Sequence, residues 1–177
     1  MPLVRSGKVA EDRFVRVADG DPVPEEGAII VTADRFLADA DDFARRNEPV
    51  GVVWPNNRNV AELEPHLAHL ALIALVFPAY KDGRAYSQAR VLRERYGFRG
   101  ELRATGQILR DQFLFLLRAG FDAFDVAKPA DATAFEEAAR RYSVFFQPTG
   151  DGRVTVARVR TSRDARPAPV RSERVSA

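Results

Sequence analysis

Eight consecutive apolar residues, Leu70-Ala71-Leu72-Ile73-Ala74-Leu75-Val76-Phe77, constrain this chain more than any other stretch. Side chains of a strand alternate between two faces, so a run without a polar residue must be buried on both. That pattern belongs to the central strand of a sheet covered by helices on both faces. It is also far short of the roughly 20 apolar residues that a membrane-spanning helix needs.

Similar but shorter runs flank it. Ala28-Ile29-Ile30-Val31, Val50-Gly51-Val52-Val53-Trp54, Gly100 to Thr105 and Phe121 to Val126 read as strands. Between them lie stretches of helical period. Arg35 to Arg46 places Phe36, Leu37, Ala40 and Phe43 on one face, and Val60 to Leu67 follows Asn59, a ready N-cap. Ala85 to Tyr96 stops at Gly97 and Ile108 to Ala119 at Gly120, with glycine serving as the C-cap. Thr133 to Tyr142 is the last. Strand and helix thus alternate about five times, which implies parallel strands joined by crossovers. The expected fold is α/β: a mostly parallel sheet of about five strands with alternating helices, either an open helix-covered sheet or a partial β/α barrel.

The ends differ from this body. Residues 1–27 alternate apolar and polar side chains, most clearly at Phe14-Val15-Arg16-Val17, and read as a small strand or hairpin appended to the domain of residues 28–147. Residues 148–177 read as an edge strand or hairpin around Arg153 to Val159, then a tail. From Thr161 onward arginine, proline, serine and alanine leave almost no apolar content to offset ordering entropy, so a disordered tail is expected.

At 177 residues, 46% of them hydrophobic, the chain can bury one sizeable core. It has no cysteine, which removes disulfides and thiolate-held clusters, and its two histidines leave little for a zinc site. No metal and no cofactor is predicted, and cytoplasmic placement is expected. The net charge of +2 hides an asymmetry: from Gly152 onward seven arginines face Asp164 and Glu173, whereas the preceding residues hold 20 basic and 23 acidic groups. The body is slightly acidic, so a nucleic-acid partner is not expected.

In α/β sheets ligands bind beyond the carboxyl ends of the strands, where loops and helix starts converge. Here that rule collects Trp54, Asn56 and Asn57, then Tyr80, Lys81, Asp82, Arg84 and Ser87, then Arg103, Thr105 and Gln107, with Asp111 and Gln112 following and Asp125 and Lys128 after the last strand. Such a cationic rim with amides suits an anion. Asp82 is the candidate acid or base beside Lys81. Each residue also has a plainer reading: Asp82-Gly83 as turn chemistry, Arg84 and Arg90 as solvated helix charges, Asp111 as a helix-start acid. Arg103 is hardest to dismiss, because it lies inside a strand pattern. Phe113-Leu114-Phe115-Leu116-Leu117 is apolar all round a helix, which makes Phe113, Phe115 and Leu117 a candidate partner surface. No dinucleotide glycine fingerprint, Walker loop or Gly-x-Ser-x-Gly occurs.

The blocks Phe77-Pro78-Ala79-Tyr80-Lys81-Asp82-Gly83-Arg84-Ala85-Tyr86-Ser87-Gln88-Ala89-Arg90, Gly100-Glu101-Leu102-Arg103-Ala104-Thr105-Gly106, Arg110-Asp111-Gln112 and Arg118-Ala119-Gly120-Phe121-Asp122-Ala123-Phe124 resemble the bacterial family catalogued as domain of unknown function 934. The resemblance covers roughly residues 8 to 147. Members are commonly labelled oxidoreductases of sulfite reduction, so it implies an auxiliary role in assimilatory sulfur metabolism beside a sulfite or nitrite reductase hemoprotein. Electron transfer needs a redox cofactor, and this chain has neither cluster thiolates nor a dinucleotide fingerprint. A protein that docks on the reductase, with self-association as a further expectation, fits the residues better. The alternative is a small β/α enzyme holding a phosphorylated or sulfur-oxyanion metabolite through Lys81, Arg84 and Arg103.

Overall fold

A computed structural model describes residues 2–5, 8–128, 130–140, 142, 144–149 and 154–161. Eight strands form one sheet: β1 (Leu3–Arg5), β2 (Lys8–Ala10), β3 (Val15–Arg16), β4 (Ile29–Thr32), β5 (Val50–Trp54), β6 (Leu70–Phe77), β7 (Glu101–Gly106) and β8 (Ala123–Asp125). Their order across it is β2-β1-β8-β7-β6-β5-β4-β3. Pairing is parallel from β3 through β8, and antiparallel only where β1 meets β2 and β8. The five expected strands are all present, with the apolar run Leu70–Phe77 well inside the sheet as β6. The expected count of five is too small, because three short strands near the N-terminus belong to the same sheet.

The order of those three strands dictates its curvature. β2 is one edge and β3 the other, yet only residues 11–14 separate Ala10 from Val15. Five Cα steps reach at most about 19 Å. Eight flat strands would span about 34 Å, at about 4.8 Å per gap. The chain can join the two edges only if the sheet curls, and it does so into a half-barrel with residues 11–14 strapped across its hollow.

The two faces of the sheet are covered differently. On one, Ile29, Val31, Val52, Trp54, Ile73, Leu75, Phe77, Leu102 and Phe124 share a core with helical residues. These come from α1 (Ala33–Ala38), α2 (Ala40–Arg45), a 3₁₀ segment (Val60–His69), α3 (Arg84–Arg90), α4 (Phe113–Ala119) and α5 (Asp131–Arg140). On the other face Ile30, Leu72 and Ala74 pack against Phe14 of the strap. β6 is therefore buried on both sides, as its composition demands. Helices cover only one of them, because the hollow of a half-barrel is narrow enough for a four-residue strap to fill.

Local chemistry explains the helix boundaries. Thr32 accepts the Arg35 amide and Asn59 the Ala61 amide, as N-caps should. The stretch read as one helix from Arg35 to Arg46 is interrupted at Asp39, and the stretch read as a helix from Val60 to Leu67 is a 3₁₀ segment, Val60–His69, with Pro65 inside it. Beyond Arg90, α3 continues through a wider π turn, Val91–Arg95. Residues 156–159, read as extended, belong to helix α6 (Val156–Thr161); the Thr155 hydroxyl accepts the Arg158 amide and starts it. The expected disordered tail begins at Thr161, which instead closes α6; its remaining residues, 162–177, lie outside the described residues. No helix among those described is long and apolar enough to cross a membrane.

Candidate functional site

The loops after β5, β6 and β7 meet at one end of the sheet. Gly106 makes the meeting possible: its φ is +97°, and a Cβ there would stand 2.4 Å from the Phe77 carbonyl oxygen. This close approach lets the Gln107 amide donate to Phe77 O at 2.8 Å, while Gln112 Nε2 donates to Tyr80 O at 2.8 Å. The loop holding Tyr80, Lys81 and Asp82 is thereby tied to the one holding Gln107 to Gln112.

Within this rim the charges are largely paired with one another. Asp82 accepts from Arg84 Nε at 3.0 Å, from Arg84 Nη2 at 2.7 Å and from the Arg84 amide at 3.2 Å. Those Arg84 bonds hold the Asp82 carboxyl far below the ordinary carboxylate range, so it stays ionised at neutral pH and has no proton to give. Arg110 pairs with Asp131. Lys81, Ser87 and Asp111 are exposed, Thr105 is half-buried, and Lys81 makes no ion pair among the described residues.

Arg103 does not join Lys81 and Arg84. It stands opposite Ala74 in the middle of β7, its side chain fully buried (0% exposed) over the hollow of the half-barrel. Asp12 of the strap takes it with two bonds, Nη1 to Oδ2 at 2.6 Å and Nη2 to Oδ1 at 2.9 Å. Glu101 accepts from its Nε at 3.0 Å, and Asp125 lies 3.8 Å away. Arg5 pairs with Glu101, and Arg16 with Asp125 at 2.9 Å, so three guanidiniums meet three carboxylates. For Asp12, burial pushes the carboxyl pKa up, but the Arg103 bonds and the Phe14 amide outweigh it and the net direction is down. Arg103 is thus a clamp for the strap, with all three of its guanidinium nitrogens bonded to carboxylates.

Sequence reasoning did not find Asp12, which lies 91 residues from its partner and carries no local signal. It also did not find the buried amide of Gln88, whose Nε2 donates to Pro55 O and Arg58 O and fastens α3 to the loop after β5. Trp54, read as a rim residue, is fully buried, with Arg58 5.1 Å above its ring. Asn56 is buried too, Asn57 is exposed, and the Lys128 amide donates to Asp131.

A second region lies on the outer side of α3 and α4. The sequence FLFLLRA of α4 turns Phe113 and Leu116 inward, where Phe113 packs on Phe124 and Phe135. Phe115 points out, 66% exposed, and Leu117 packs partly on the core. Of the three expected partner-surface residues, Phe113 is therefore core: at 1% exposure it has no outer face to offer. Residues 144–149 run alongside α4, held by Arg118, which stacks 3.9 Å from the Phe145 ring centre and donates to Gln147 O. Between them is a groove of about 600 Å³ walled by Tyr86, Arg90, Leu114, Phe115, Tyr142 and Phe146, among others. Phe146 is 82% exposed. In the sequence Val144-Phe145-Phe146 could be one arm of a hairpin with Arg153 to Val159; among the described residues that pairing is a single bridge, Phe145 to Thr155.

A family model described as a bacterial protein of unknown function (DUF934) matches residues 51–157. The chain belongs to the DUF934 family. No curated protein and no solved structure matches it. The DUF934 match takes in the rim loops, Arg103 and the groove; the strap with Asp12 lies ahead of it. Among the described residues no group of three or more histidine, aspartate or glutamate side chains could hold a metal ion.

Proposed function

We propose that this DUF934 protein is a cytoplasmic accessory protein of assimilatory sulfite reduction that acts by docking on a sulfite or nitrite reductase hemoprotein. The observation that carries the docking half is the exposed aromatic groove beside α4, with Phe115 and Phe146 mostly in water. Large apolar side chains gathered in one exposed patch mark binding surfaces, whereas scattered ones mean little. The sulfite half comes from the motif blocks in residues 77–124. The competing reading, an enzyme gripping a sulfur oxyanion or phosphate with Lys81, Arg84 and Arg103, is disfavoured because Arg84 and Arg103 already hold carboxylates. An oxyanion would have to displace Asp12, which holds the buried Arg103 guanidinium with two bonds.

The reading is tested by deleting the gene and growing the strain with sulfate as sole sulfur source. Slow growth relieved by cysteine is expected, restored by the wild-type gene and not by one carrying Phe115→Ser with Phe146→Ser. Growth on sulfate as fast as the parent would refute it.

A further inference from the structure

We infer that the groove between α3, α4 and residues 144–149 receives an amphipathic helix from a partner protein, an apolar stripe flanked by carboxylates. This rests on the docking reading above and says what the docked element is. The groove's walls are apolar along their length, and about 600 Å³ accommodates the few anchors that a helix presents at i, i+3, i+4 and i+7. Among the described residues its two charged wall residues, Arg90 and Arg118, are both cations.

The positions of these cations suit carboxylates at the edge of the occupant. Arg90 pairs with Glu94 at 3.2 Å, with both side chains substantially exposed. Exposed pairs of this kind are worth about 0–1 kcal/mol, so an incoming carboxylate can replace Glu94 at little cost. Arg118 is fixed by stacking on Phe145, which holds its charge at the groove wall rather than in bulk water. Tyr86 adds a donor: burial raises its phenol to about 12, so it keeps its proton at any physiological pH.

Charge also disposes of the two occupants nearest to hand. A second copy bound through the same groove by a two-fold axis would bring its own Arg90 and Arg118 up to these. The chain's own C-terminal residues, 162–177, carry four arginines against two acids and repel the same wall. An acidic helix of another protein meets neither objection.

The test uses the full-length protein and two fluorescein-labelled model helices of roughly 14 residues, about four turns. Both carry leucine at the four anchor positions; one has glutamate flanks and the other lysine. Fluorescence anisotropy should show the glutamate helix binding at least about tenfold more tightly, equivalent to about 1.4 kcal/mol. Phe115→Ser and Phe146→Ser, both at exposed positions that leave the fold intact, should each weaken it by a similar factor. Arg90→Glu should bring the two helices to near parity.

Equal affinity for the two helices, or no binding of either, overturns the proposal. So does displacement of the glutamate helix by a peptide of residues 162–177, which would make the tail the occupant. Sedimentation showing a dimer that Phe115→Ser dissociates would make a second copy the occupant, and overturns it likewise. Purified reductase hemoprotein separates this inference from the functional reading. Binding that survives both phenylalanine variants sinks the groove and spares the function. A glutamate helix that binds while the reductase does not spares the groove and sinks the function.

Discussion

Replacing Arg103 by methionine should be the most damaging single change on the hollow face of this sheet. Methionine fills much of the volume and removes the charge, leaving three carboxylates that the wild-type guanidinium contacts. Removing one partner of a buried ion pair costs about 3–5 kcal/mol, mainly because the other charge stays behind. Two features set the expectation at the lower end. Glu101 and Asp125 keep Arg5 and Arg16, and the Asp12 side chain, 32% exposed, can turn toward water. A loss of about 3 kcal/mol follows, or a fall in Tm of about 6–12 °C for a chain of this size. Urea denaturation followed by tryptophan fluorescence reads it directly, since Trp54 is the single tryptophan and lies in the core. Asp12→Asn alone should cost about 1–2 kcal/mol, and the double variant less than the two singles together by at least about 0.5 kcal/mol. The same pair shapes the acid limb. Because the folded carboxyl of Asp12 titrates below its ordinary 3.8, the stability it confers is present above that pH and lost as pH falls beneath it; Arg103→Met should flatten this segment. A loss below about 1 kcal/mol, or strict additivity of the two substitutions, would refute the clamp.

Two further outcomes are expected. Gly106→Ala should cost about 2 kcal/mol or more, since alanine at φ +97° is strained and its Cβ would strike the Phe77 carbonyl; a change under about 0.5 kcal/mol in the same urea assay would show that the junction of the two loops relaxes freely. In alkali, Tyr86→Phe should remove an ultraviolet tyrosinate step near pH 12. Because burial raises this phenol from 10.0, its contribution to stability is full below pH 10 and declines as pH rises toward 12; persistence of the step in the variant would place it elsewhere.

What could be seen in the sequence was local. β6 declared itself because eight apolar residues leave no face for water, and Gly97 and Gly120 marked helix ends because their left-handed backbone has few alternatives. The strap could not be seen. Glu11-Asp12-Arg13-Phe14 resembles any polar loop until β1 is found beside β8, and that pairing joins Leu3 to Asp125. Arg103 stood out as a charge inside a strand, and this was a true signal of something unusual. Its meaning was inverted, since the same placement that suggested a ligand site is what buries the side chain against Asp12. At the groove, the all-round apolar helix pointed to Phe115 without separating it from the core residue Phe113, whereas Tyr142 and Phe146 depended on how they lie along α4.

The strap also has a consequence for how the molecule comes into being. Strands β1 and β2 can find their place in the sheet only after the chain has been made as far as Asp125, because β1 pairs with β8 and β2 with β1. Contacts so distant in sequence are slow to form, since the intervening loop must close before they give any return. The parallel strands β4 to β7 can assemble meanwhile, with their hollow face still open to water. β1 and β2 therefore join the sheet after strands that follow them in sequence, and a nascent chain stalled before β8 would carry Arg103 without the antiparallel hairpin that leads Asp12 to it.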